Sequence, residues 1–129
     1  MFLNNETDYA IRIVSCLAKQ TDRLDAAAIA EKTGVTPRFT LKILHRLVQG
    51  GIVRSFKGNK GGYILAKSPE EITLLQVVEE IYGKLTLSRC HSDGSCGCTH
   101  PNGFCDFKGV FSDITTYMRK KLSEVTFDK

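Results

Sequence analysis

The sequence predicts a mainly α fold with one small β-hairpin: a winged helix-turn-helix followed by a long C-terminal helix. Three observations carry this. Two short helical patterns meet at Gly34, two β-prone runs joined by Gly58-Asn59-Lys60-Gly61-Gly62 follow the second, and a last long apolar periodicity stands apart after a cysteine-rich stretch. Helix, glycine-containing turn and helix make a helix-turn-helix, and a hairpin directly behind it makes a wing.

The first helical pattern runs from Thr7 to Ala18, with Tyr9, Ile13 and Leu17 on one stripe and Ala10 and Val14 beside it. Thr7 or Asn5 is the expected cap, and Asp8 stands in the first turn, where the helix dipole favours a carboxylate. Cys16 falls inside this pattern and reads as a small buried hydrophobe. Asp25 caps a short helix, Ala26 to Thr33, which Gly34 ends by supplying a positive φ. Thr36 caps the next helix, Pro37 occupies its first position, where the missing N–H costs nothing, and Gly50-Gly51 stops it. Leu41, Leu44 and Val48 share the stripe expected to face the core.

Ile52 to Phe56 and Tyr63 to Ala66 are the expected strands of the wing. The glycine-rich turn between them is not a phosphate loop, because no helix follows and G-x-x-x-x-G-K-[ST] is absent. After Ser68-Pro69, Thr73 and Gln76 form a capping-box pattern for a short helix with Leu74, Val77, Val78 and Ile81 on its apolar face, ended by Gly83. From Phe107 to Val125 the apolar residues Phe111, Ile114, Met118, Leu122 and Val125 recur at spacings of three and four, the mark of a dimerisation helix or of one that packs back on its own domain. The organisation expected is a DNA-binding unit over 1–83, a cysteine-rich loop over 84–106 and the dimerisation helix over 107–129.

Charge sharpens the first of these. The 129-residue chain carries a net +4, but Lys32 to Pro69 holds eight Lys/Arg and no Asp or Glu, leaving ten basic and fourteen acidic residues elsewhere. A one-sign block inside a folded pattern points to a polyanion. Arg38, Lys42, His45 and Gln49 recur along one face of the helix after Pro37, long donors suited to phosphates and base edges in a major groove. Arg46, Arg54 and the wing residues Lys57, Asn59 and Lys60 complete the candidate interface. No paired carboxylates or metal-ligand set converge on the basic block, so an enzyme acting on nucleic acid is not expected. No apolar run approaches the ~20 residues of a membrane span. The N-terminus lacks the charged and apolar regions of a secretory signal, so a cytoplasmic protein without membrane association is expected.

Between Arg89 and Cys105 lie four of the five cysteines: Cys90, Cys96, Cys98 and Cys105, with His91 and His100 among them. In a reducing compartment such a cluster means metal or redox chemistry more often than structural disulfides. The spacing fits no common zinc module, whereas iron–sulfur clusters accept thiolates from loops of varied spacing. Spacing alone leaves zinc and an iron–sulfur cluster nearly even.

Across almost the whole chain the sequence resembles the winged-helix iron–sulfur regulators of the Rrf-two type (IscR/NsrR-like), most of all their nitric-oxide-sensing subgroup. The resemblance rests on T-D-Y-A-I-R, A-x-x-I-A-E, L-x-x-L-V-Q-G-G-I-V-R-S, G-N-K-G-G-Y-I-L-A, P-E-E-I-T-L-x-x-V-V and the late cysteine loop. It implies a homodimeric transcriptional regulator, a repressor, that binds a double-stranded DNA operator. It further implies an iron–sulfur cluster, four-iron rather than two-iron, held by three cysteines. Cys90-x5-Cys96 matches the family's first gap and Cys105 its third cysteine; Cys98 is an extra thiol and an alternative to Cys96. The histidine that follows the third cysteine in the assembly-repressor subgroup is Lys108 here. In the nitric-oxide-sensing subgroup the fourth ligand is an aspartate from the partner's first helix, which matches Asp8, and Arg12 one turn on would stabilise the cluster's negative charge. The alternative is a cluster-free winged-helix regulator that senses through cysteine oxidation or zinc.

Overall fold

The structure, a computed structural model, describes residues 4–59, 61–85 and 107–128. Five α-helices and a two-stranded antiparallel hairpin lie in these residues: α1 (Asn5–Ala18), α2 (Ala26–Thr33), α3 (Pro37–Gln49), β1 (Val53–Phe56), β2 (Gly62–Leu65), α4 (Leu74–Tyr82) and α5 (Lys108–Ser123), with a 3-10 turn over Pro69–Glu71. The expected winged helix is the architecture found.

Local chemistry sets most boundaries. Asp25 accepts from the Ala28 N–H, Thr36 from Phe39, and Thr73 and Gln76 exchange both bonds of a capping box. Gly34 closes α2 at φ 75°, a conformation that penalises any Cβ. α1 begins earlier than expected. Its cap is neither Thr7 nor Asn5 but Asn4, whose side-chain oxygen takes both the Thr7 N–H at 2.8 Å and the Thr7 hydroxyl at 2.7 Å, leaving Thr7 buried inside the helix.

β1 and β2 pair in the register Val53↔Leu65 to Phe56↔Gly62. Leu24 adds a bridge to the outer edge, exchanging backbone hydrogen bonds with Tyr63 at 2.8 and 3.2 Å. Gly62 is required there, because a Cβ would stand 2.8 Å from the Leu24 carbonyl oxygen. Arg23, with its guanidinium 3.6 Å from the Phe56 ring centroid, packs the same edge.

The core lies where α1, α3, α4 and β1 meet. Ala10, Ile13, Val14, Ile29, Ile43, Leu44, Leu47, Val53, Ile72, Val77 and Ile81 are buried in one cluster. The α3 contribution differs from the expected stripe. Leu44 is buried as expected and Val48 half-buried, but the inward face is Thr40, Ile43, Leu44 and Leu47, and Leu41 is 52% exposed. The expected stripe was rotated by about one residue, roughly 100° of helix.

α5 packs against α4, with Arg119 paired to Glu79, whose carboxylate also accepts the Leu85 N–H at 2.9 Å. Here too the expected stripe divides. Phe111, Met118 and Leu122 are half-buried, whereas Phe107, Val110, Ile114 and Tyr117 stay exposed on the adjoining face. The helix stops at Ser123 rather than Val125. Residues 125–127 run alongside the start of α4, where the Val125 carbonyl accepts the Leu74 N–H at 2.8 Å and Phe127 joins the core edge.

Candidate nucleic-acid interface

α3 is positioned by burial of one face and is therefore free to offer the other. Arg38, Lys42, His45 and Gln49 are all exposed along that outer face. Arg54 is exposed on β1, and Lys57 and Asn59 are exposed in the wing turn; Lys60 lies outside the described residues. Helix and wing thus present cations and amides on connected elements, an arrangement suited to phosphates and base edges. Leu41, which sequence periodicity assigned to the core, sits on the same outer face between Arg38 and His45. An apolar side chain there can meet a thymine methyl.

Arg46 behaves differently from its neighbours. It is half-buried, donates to the Glu80 carbonyl of α4 at 3.0 Å and lies 3.7 Å from the Glu6 carboxylate of α1. Its guanidinium is committed to holding three helices together. Lys42 is also engaged: its ammonium meets Glu6 at 2.8 Å. This hydrogen bond holds the Glu6 carboxyl below its usual value, against a smaller opposing effect of burial. Glu6 is the residue that sequence reasoning missed, since its partners lie far along the chain and no local spacing announces them.

The first turn of α1 carries the other candidate group. Asp8 and Arg12 form an ion pair at 2.9 Å, both side chains about half exposed. Arg12 also lies 5.9 Å from the Tyr9 ring centroid, and Tyr9 meets Phe39 of α3 at 5.9 Å between centroids. Asp8 is thus accessible from outside and balanced by a cation. An incoming cationic centre would find an exposed carboxylate oxygen there, and an anionic cluster would find Arg12, so this half of the proposed ligand set fits. Cys90, Cys96, Cys98 and Cys105, with His91 and His100, lie outside the described residues. Among the described residues no group of three or more His, Cys, Asp or Glu gathers as a metal site. Cys16, the one described cysteine, is partly buried on α1, and burial raises its thiol pKa, which marks a poorly reactive group. No helix among the described residues is long and apolar enough to cross a membrane.

The chain is similar to known proteins. The HTH-type transcriptional regulator NsrR of Halalkalibacterium halodurans is 33% identical over 122 residues, covering 92% of this chain and 83% of the relative. NsrR of Shouchella clausii is 30% identical over 128 residues, covering 98% and 85%. The solved structure of CymR, the global cysteine regulator of B. subtilis, superposes with a TM-score of 0.80 at 18% identity, covering 99% of this chain and 94% of that one, a likeness of fold. A family model for Rrf2, described as iron-dependent transcriptional regulator, matches residues 3–129. The chain therefore belongs to the Rrf2 family, whose members are transcriptional regulators and not enzymes.

Proposed function

We propose that this regulator is a homodimeric repressor that reads a double-stranded DNA operator through α3 and the wing, under the control of an iron–sulfur cluster. The observation that carries the DNA reading is the outer face of α3. Arg38, Lys42, His45 and Gln49 are exposed in line, within a stretch from Lys32 to Pro69 that contains no acidic residue. The contacts fall to Arg38, Lys42, His45 and Gln49 on α3 and to Arg54, Lys57, Asn59 and Lys60 around the wing. Arg46 serves by fixing α3 against α1 and α4.

The cluster reading draws on the cysteine loop and on relatives that carry the NsrR name. Cys90, Cys96 and Cys105 would hold the cluster, a four-iron one, with Cys98 as the alternative to Cys96 and the partner's Asp8 as fourth ligand. Bound there, such a group supplies reactivity toward nitric oxide or oxidants and sensitivity to iron supply. Arg12 stabilises the negative charge while Asp8 faces the loop. Release of Asp8 frees the first turn of α1, which contacts α3 through Tyr9 and Phe39. A small shift there alters the spacing of the two recognition helices, and two states that differ in half-site spacing suffice to switch operator affinity.

Dimerisation would use the open face of α5, where Phe107, Val110, Ile114 and Tyr117 are exposed at spacings of three and four. The second reading is a cluster-free regulator that senses by thiol oxidation or zinc. It is favoured by the fourth loop thiol, one more than three-cysteine ligation requires. Iron, sulfide and zinc analysis of anaerobically purified protein separates the two. Iron and sulfide in equal amounts, lost on substitution of Cys90 or Cys105, supports the cluster; zinc, or no metal at all, rejects it.

A further inference from the structure

Glu6 is the acid that the basic stretch itself lacks. No Asp or Glu occurs between Lys32 and Pro69, yet α1 brings one carboxylate onto α3 from outside that stretch. Its Oε1 accepts from Lys42 Nζ at 2.8 Å, and its Oε2 lies 3.7 Å from Arg46. The two cations differ in freedom. Arg46 is also tied to the Glu80 carbonyl, whereas Lys42 has no second tie among the described residues. The Lys42 side chain is 56% exposed and that of Glu6 only 27%, so the lysine is the half of the pair that can leave. A phosphate oxygen offers the ammonium the same charge-assisted bond that the carboxylate does. Glu6 and phosphate therefore compete for one cation in the middle of the α3 outer face.

We infer that Glu6 is an intramolecular stand-in for a DNA phosphate, holding Lys42 on α1 in the free protein and withholding one phosphate contact until the first turn of α1 moves. This rests on α3 being the DNA-facing helix. Glu6 touches no DNA in this account; it is a positioning residue. Asp8 lies two residues along in the same turn, so a pull on Asp8 displaces Glu6 with it. That gives the proposed sensor a route to the interface through a single ion pair, with no movement of the helix-turn-helix as a body.

The test measures affinity of the full chain for a fluorescein-labelled random-sequence duplex across a salt series. Glu6→Gln is expected to bind about two- to fivefold more tightly at low salt, the range of one exposed ion pair. Its plot of log affinity against log salt steepens by about 0.9, the counterion release of one further phosphate contact. Glu6→Asp keeps the charge but shortens the reach to Lys42, so it shifts in the same direction. In a Lys42→Met background Glu6→Gln changes neither quantity. Unchanged slope, weaker binding by Glu6→Gln, or a gain that survives in Lys42→Met overturns the inference, the last by showing only a long-range charge effect. A shift in thermal midpoint with no change of slope also overturns it, since a purely structural tie would do that. Arg38→Ala tests the underlying reading separately: if it leaves affinity and slope untouched, α3 does not face DNA and both readings fall together.

Discussion

The winged-helix unit and α5 solve the same problem, covering an amphipathic helix, to different degrees. In α1, α3 and α4 the inward residues are sealed: Ala10, Ile13, Val14, Leu44, Leu47, Val77 and Val78 are all at 0% exposure. Among the described residues of α5 only Thr115 is buried, while Tyr117 and the N-cap Phe107 stand more than 60% exposed along the adjoining face. The first unit satisfies its own apolar surface within one chain. The second covers one side on α4 and leaves a stripe that a second copy can cover. This difference suits the dimeric reader proposed above, since reading two half-sites depends on how two closed units are joined.

The largest expected effect separates these regions by their concentration dependence. Leu44→Ala should cost about 2–5 kcal/mol at every protein concentration, because it opens a cavity in a sealed core. Ile114→Glu should leave the unfolding of dilute monomer nearly unchanged, within about 0.5 kcal/mol. It should lower apparent stability only where wild type is assembled, and shift sedimentation equilibrium from dimer to monomer. A concentration-independent loss in Ile114→Glu as large as that in Leu44→Ala would mean that α5 belongs to the core after all.

A smaller effect sharpens the account of the core. The Thr40 hydroxyl is buried in α3 and finds no hydrogen-bond partner among the described residues. An unsatisfied buried hydroxyl costs of order 1–3 kcal/mol, so Thr40→Val should raise the unfolding free energy by about 1 kcal/mol, seen as a higher denaturant midpoint. An unchanged or lowered midpoint would show that the hydroxyl is satisfied.

Legibility in the sequence follows the distance over which each contact acts. Most caps and stops were readable, because Asp25, Thr36, the Thr73–Gln76 pair, Gly34 and Gly83 act within three or four residues; the α1 cap was not, since Asn4, Asn5 and Thr7 are all capping residue types side by side. The outer face of α3 was readable too, since polar residues at helical spacing need no partner to be recognised. Its core face was misplaced at Leu41, where Leu41 and Leu44 are equally apolar and only the packing of α1 and β1 decides which turns inward. The end of α5 was missed for a similar reason: residues 125–127 leave the helix to pair with Pro69 to Leu74, a contact across the chain. Glu6 was invisible because its meaning lies in Lys42. The cysteine set was legible as a list of ligands, but Cys90, Cys96, Cys98 and Cys105 fall outside the described residues, so the ligand choice stays a proposal.

The smallest effect is on acid stability. The Glu6 carboxyl is held below its usual 4.5 chiefly by the Lys42 hydrogen bond. A lowered folded-state value means that the contribution is present above the unfolded-state value and lost as pH falls through the folded one. Glu6→Gln should therefore flatten the acid limb of the stability–pH curve below about pH 4.5, with little change of shape at neutral pH. An unaltered acid limb would mean that the Glu6–Lys42 bond is not made in solution.

In the proposed function a group held by the cysteine loop and the partner's Asp8 governs what α3 does on DNA. The most direct test is operator affinity of one anaerobic sample, measured against fragments selected by the protein itself, before and after titration with nitric oxide. Visible absorbance should bleach as operator affinity falls, with Asp8→Ala weakening that coupling while Arg38→Ala weakens binding without touching the absorbance. Affinity that is the same before and after, or a colourless sample that binds its operator and ignores nitric oxide, would contradict it.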